Sequence, residues 1–181
     1  MSFFDANREI YHYLPWPPSS NMIFMPFRNL HQLELFKGLE MSQIDLILPL
    51  MEPCTFENGI QIFAQETRAS HFFILLEGEV VVKYKPYDGE ELVIAHICPE
   101  DVFGWSAALG RQTYTSSAYA SKPSSAVCVE VEKLKVFCQN NPELGMLLLK
   151  RLASGIAFRL RTTNNEILDL LTRGMVTVPE K

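Results

Sequence analysis

The residues best able to do chemistry cluster in one stretch, VFGWSAALGRQTYTSSAYA at 102–120. Arg111 carries a permanent charge and a fork of N–H donors. Thr115, Ser116 and Ser117 offer hydroxyl groups. Trp105 has only an indole donor and Tyr114 a neutral hydroxyl. Both are large flat rings, which either stack on a planar guest or fill a pocket with apolar mass. Arg111 reads first as a solvated loop residue and second as a cation for an anionic ligand. No catalytic residue is assigned. The four histidines (His12, His31, His71, His96) are scattered, with no HxH or HExxH arrangement. The four cysteines (Cys54, Cys98, Cys128, Cys138) lack the short spacing of zinc sites and the clustering of iron–sulfur sites. Cys98 and Cys128 lie in apolar, strand-like runs and read as small buried hydrophobes. No metal is expected.

The elements that must position this stretch follow from pattern. Over 54–131, short β-runs alternate with turn residues, giving expected strands at 54–57, 60–63, 72–76, 79–84, 91–97, 113–120 and 125–131. Asn58-Gly59, Glu77-Gly78, Asp88-Gly89 and Pro99-Glu100-Asp101 punctuate them. Asp88-Gly89 reads as a hairpin turn needing positive φ. Many short strands without long helices between them indicate a sandwich or jelly roll. Before them, Leu33, Phe36, Leu39, Ile44, Leu46, Ile47 and Leu50 recur at helical spacing across 30–51, with Ser42 expected to cap a second helix.

After Leu134 the helical period returns. Asn140 or Asn141 caps a helix with Pro142 in its first turn, expected to run to about 172 and stop at Arg173-Gly174. Along it Leu149, Ala153, Ile156, Leu160, Thr163, Ile167 and Leu170 form a heptad stripe. That stripe predicts a homodimer, while Leu147, Leu148, Leu152 and Leu168 lean on the β-roll. The expected division is 1–29 as an aromatic and proline-rich extension, 30–140 as β-roll with leading helices, 141–174 as dimer helix and 175–181 as tail. Within the extension, 1–14 reads as a short helix. PWPPSS at 15–20 reads as a strap on the core or a partner subunit, or as a frayed tail.

Bulk properties narrow the function. A chain of 181 residues with 48% hydrophobic content supports one real core. No run approaches a membrane span and MSFFDANREI lacks the layout of a secretion signal, so a cytoplasmic protein is expected. The net charge is −5. The one local cluster of positive charge, Lys150, Arg151, Arg159 and Arg161, reads as a solvated helix face. Direct DNA binding by this chain is not expected.

The motifs resemble the cyclic-nucleotide-binding domain family, the sensor half of bacterial catabolite-activator (Crp–Fnr) regulators. LFKGLEMSQIDLIL is similar to its first helices, GIQIFAQE and HFFILLEGEVVV to its strands, YDGEELVIAHICPEDVFG to the hairpin before its phosphate-binding cassette, and NPELGMLLLKRLASGIAFRLR to the start of its dimer helix. The resemblance covers roughly 33–173. It implies a mainly β, double-stranded β-helix (jelly-roll) fold with flanking helices and a long C-terminal dimerisation helix. It also implies a ligand pocket at Phe103, Gly104, Trp105, Ser106, Arg111, Tyr114, Thr115 and Ser116, with Thr162, Thr163 and Asn164 of the dimer helix over it. In the family, Phe-Gly is followed by Glu, which binds the ribose, and an Arg about ten positions later grips the cyclic phosphate. Here Trp105 replaces the Glu, Tyr114 or Thr115 the Arg, and Glu100 a usual glycine. The turn at 104–109 still offers backbone N–H groups to an anion. The family's regulators add a helix-turn-helix module, which is not expected in the seven residues after Gly174.

Three functions follow. The first is a non-enzymatic sensor or regulatory module that does not hold cAMP or cGMP tightly, takes another small ligand and signals through a partner protein. The second is a ligand-free interaction dimer with the pocket closed by Trp105 and Tyr114. The third, a cupin-like enzyme, would have to start from His71 and Glu77 and lacks the remaining ligands. No cofactor is expected.

Overall fold

The computed structural model describes Leu33 and residues 35–157. Two four-stranded antiparallel sheets face each other. One has the order β1-β8-β3-β6, built from Met51–Phe56, Ser124–Glu130, His71–Glu77 and Val102–Phe103. The other has the order β2-β7-β4-β5, built from Gln61–Phe63, Ser117–Ala120, Val80–Tyr84 and Leu92–Ile97. This is the expected jelly roll.

Strand β3 shows why the roll is stable. Phe72, Phe73, Ile74 and Leu75 are all buried, and alternate side chains take opposite faces of the sheet. Phe73 stacks on Phe103 inside the roll at 5.0 Å between ring centroids. Phe72 and Ile74 face the helical layer, where they meet Ile47, Leu134, Leu148 and Leu152 around a small apolar void. Each such side chain contributes roughly 1.5–3 kcal/mol on burial.

The helical layer departs from expectation in three places. The apolar run at 30–51 is not continuous helix: residues 35–38 form a turn, α1 spans Met41–Ile47, and Leu48–Leu50 is a short 3-10 turn leading straight into β1. Glu40, and not Ser42, caps α1. Its carboxylate accepts from the backbone of Gln43, whose side chain accepts the Glu40 N–H at 3.0 Å. Helix α3 (Val131–Asn140) follows β8 without a loop, because Val131 N–H is taken by Ser70 C=O at 2.9 Å. A fourth helix, α4, begins at 142 and continues to 157, the last described residue. Asn141 joins α3 to α4: its N–H bonds to Phe137 C=O and its carbonyl accepts from Gly145 N–H.

The β4–β5 hairpin forms as expected, with Tyr84 opposite Leu92, but its connection spans 85–91. Gly89 does not adopt positive φ there. Gln65 pins the connection instead, through bonds to Lys85 C=O and N–H. The expected strand at 113–120 shortens to Ser117–Ala120; Thr113 makes only an isolated bridge with Arg68. Cys98 is exposed, not buried, because β5 ends at Ile97 and Asp101 accepts the Cys98 N–H in a turn. Cys54 and Cys128 are buried in the core. The N-terminal extension, the expected continuation of the dimer helix beyond 157 and the tail lie outside the described residues.

Candidate functional site

Phe103 ends β6 inside the aromatic core, and Gly104 then turns the chain with φ 70. A Cβ at Gly104 would sit 3.1 Å from Phe73, 3.2 Å from His71 C=O and 3.2 Å from Phe63. Only glycine satisfies both the backbone conformation and this close approach. Helix α2 (Trp105–Ala108) is a single turn that follows at once. Trp105, the first residue of α2, is half-buried and packs against the core.

Ser106 ties the two ends of the loop together. Its hydroxyl lies 3.1 Å from that of Thr115 and accepts Thr115 N–H at 3.4 Å, while its carbonyl accepts Arg111 N–H at 3.0 Å. Two neutral hydroxyls therefore meet where α2 starts and the loop ends. Ser117 accepts Gln65 N–H at 2.9 Å. Ser116 is half-buried.

Tyr114 is 3% exposed and belongs to the core. Its ring stacks on Phe63 at 3.9 Å between centroids and 16° between planes, extending the Phe63–Phe73–Phe103 stack. Its hydroxyl donates to His71 C=O at 2.6 Å and accepts His71 N–H at 3.3 Å. Tyr114 thus completes the edge of β3 beyond the point where β6 stops. Burial pushes its phenol up to about 12. Neither Phe63 nor His71 was singled out as a partner for Tyr114 from sequence, since both lie far from it in the chain.

Arg111 is exposed and lines a cleft on the outside of the roll, together with Arg68 and the start of α3. The lining of that cleft includes neither Trp105 nor Thr115. On α4, Leu149 and Ala153 face outward, whereas Ile156 packs into this chain's own core with Leu148 and Leu152. Leu160, Thr162, Thr163, Asn164, Ile167 and Leu170 lie outside the described residues. Among the described residues, no group of three or more His, Cys, Asp or Glu could hold a metal ion, and no helix is long and apolar enough to cross a membrane.

A double-layered antiparallel roll, a glycine-led turn with one helical turn after β6, and helices packed on the outer face define a cyclic-nucleotide-binding type of module. The family model for the cyclic nucleotide-binding domain matches residues 53–141. A CRP-like cAMP-activated global transcriptional regulator of Mycobacterium tuberculosis is 30% identical over 137 residues, covering 76% of this chain and 59% of that protein. The solved Thermus thermophilus catabolite activator protein matches with 27% identity and a TM-score of 0.63, over 77% of this chain and 63% of that one. A cyclic nucleotide-binding domain from Methylobacillus flagellatus has the same fold, with a TM-score of 0.72 at 19% identity over 88% of this chain and 86% of that one. Residues 53–141 are thus a cyclic nucleotide-binding domain of the Crp–Fnr type. The chain spans 48–62% of the length of the curated relatives it matches.

Proposed function

We propose that this chain is a non-enzymatic regulatory module of the cytoplasm. Its cassette does not hold cAMP or cGMP tightly, and its output passes to a partner protein through a dimer formed by the C-terminal helix. The observation that carries this reading is the neutral pair of hydroxyls, Ser106 with Thr115, beside Trp105. A family cassette uses a carboxylate and an arginine there. Each charge-assisted bond is worth roughly 1.5–3 kcal/mol, so losing both weakens a cyclic nucleotide by about 10²–10⁴-fold. The half-buried indole of Trp105 leaves a flat, weakly polar surface suited to a ligand other than a cyclic nucleotide.

The burial of Tyr114 favours a second reading, in which the roll is a ligand-free interaction dimer. Titration calorimetry of the purified chain against cAMP, cGMP and a panel of planar metabolites separates them. A cyclic nucleotide binding tighter than about 10 μM overturns both readings. A saturable metabolite selects the first, and silence across the panel selects the second.

A further inference from the structure

Arg111 and Arg68 are the two guanidiniums of a cleft of about 500 Å³, walled by residues 68–70, the end of the 104–114 turn and the first turn of α3. Its carboxylates are already engaged by lysines. Glu132 pairs with Lys135 at 2.7 Å, and Glu130 with Lys133 at 3.4 Å, Lys133 also meeting Glu52. Neither arginine has an ion-pair partner among the described residues, and set against the one carboxylate left over where Glu52 and Glu130 share Lys133, the pair leaves the cleft with a net positive charge. The backbone fixes their spacing. Arg68 bridges to Thr113, Ala69 N–H donates to Gln112 C=O at 2.9 Å, and Arg111 N–H donates to Ser106 C=O. The first turn of α3, a ten-residue helix whose N-cap Glu130 makes no side-chain cap bond, adds the positive end of a helix dipole.

We propose that this cleft binds a small multivalent phosphate, with phosphate oxygens bridging Arg68 and Arg111. Guanidinium forks match phosphate geometry, and the cleft volume falls in the small-molecule range. The ligand would join the cassette turn to α3, and through Asn141 to α4, giving the module an input outside the roll. The site goes beyond the function proposed above and stands whether or not the cassette holds anything.

Pyrophosphate is the probe, titrated into the full chain by calorimetry and by amide NMR. Saturable binding is expected, with shifts centred on Gly110, Gln112 and Glu132. R68Q and R111Q each weaken it roughly tenfold, and the double variant roughly a hundredfold. Both side chains are exposed, so the variants should keep the thermal midpoint of the parent chain. Lys122→Gln, removing a charge beyond the opposite end of β8, should change affinity by less than about twofold. The proposal is overturned by any of three results: no saturation up to about 10 mM, unchanged affinity in the double variant, or shifts centred on Gly104 to Ser106.

Discussion

Replacing Tyr114 by Phe isolates the contribution of one hydroxyl to closing the cassette. The substitution keeps the ring, and so keeps the 3.9 Å stack on Phe63. It removes a 2.6 Å bond to His71 C=O and a 3.3 Å bond from His71 N–H. A buried polar group left without a partner costs about 1–3 kcal/mol. His71 is half-buried and water reaches part of it, so the lower half of that range applies, about 1–2 kcal/mol in all. Tyr114→Ala removes the ring as well and should cost about 3–5 kcal/mol. Urea unfolding followed by tryptophan fluorescence reads both. With m near 2 kcal/mol/M, Tyr114→Phe should lower the midpoint by about 0.5–1 M at unchanged m. The same hydroxyl sets an alkaline limit. A phenol raised to about 12 in the folded state, against an ordinary 10, contributes stability that is present below pH 10 and lost as pH rises through 12. The difference between the parent chain and Tyr114→Phe should therefore shrink across that window. If Tyr114→Phe unfolds at the parent midpoint and Tyr114→Ala costs no more, the ring does not occupy the core in solution, and the closed-cassette reasoning is refuted.

Four further outcomes test the site and its frame. Trp105→Glu combined with Thr115→Arg should raise cAMP affinity by about 10²–10⁴-fold by calorimetry, and a folded double variant with no gain would mean that more than two charges separate this cassette from a cAMP site. Gly78→Ala should cost about 3 kcal/mol or more in urea unfolding, because φ is 92 and the new Cβ would meet Ser124 Oγ and lie 2.5 Å from Pro123 C=O. Glu100→Gly should leave the thermal midpoint unchanged or raise it by up to about 6 °C: Glu100 holds φ 76, and glycine removes about 1–2 kcal/mol of strain while adding about 0.4–1 kcal/mol of unfolded-chain freedom, so a lower midpoint would refute the strain. Burial lowers the His71 pKa, so stability should be full above its ordinary value near 6.5 and decline as pH falls through the folded value, a decline that His71→Gln should flatten in acid unfolding.

The strands at 72–76, 79–84 and 91–97 were legible because alternation and turn residues act locally, and the structure places β3, β4 and β5 there within a residue or two. What stayed hidden depends on distant partners. Val131 continues the alternation of Val127 and Val129, yet it begins a helix because Ser70 C=O captures its N–H. Tyr114 sits among residues of strand-like composition, but its place is set by Phe63 and His71. Cys98 looked like the next step of an apolar strand until Asp101 closed a turn on its N–H. The helical spacing of Leu33 to Leu50 reports one apolar face and cannot report that the chain turns at 35–38 before α1 and the short 3-10 turn that follows it.

These contrasts sort the positions of the roll and its cassette into two kinds. Gly104 and Gly78 are fixed by packing: a Cβ at either would run into Phe63, Phe73 or Ser124 whether or not a ligand is present. Phe103 and Tyr114 are fixed in the same way, by a ring stack that closes the roll. Trp105 and Thr115 are different, since one is half-buried and the other exposed, so neither is enclosed by the roll. A sequence match carried by the first kind of position therefore transfers the fold and nothing more. The second kind holds the positions where the family resemblance leads one to expect a Glu and an Arg and this chain has an indole and a hydroxyl. Arg111, in the same loop, directs its charge to the outer cleft beside Arg68. On the two proposals above, the input reaches the α3 side and not the interior of the roll.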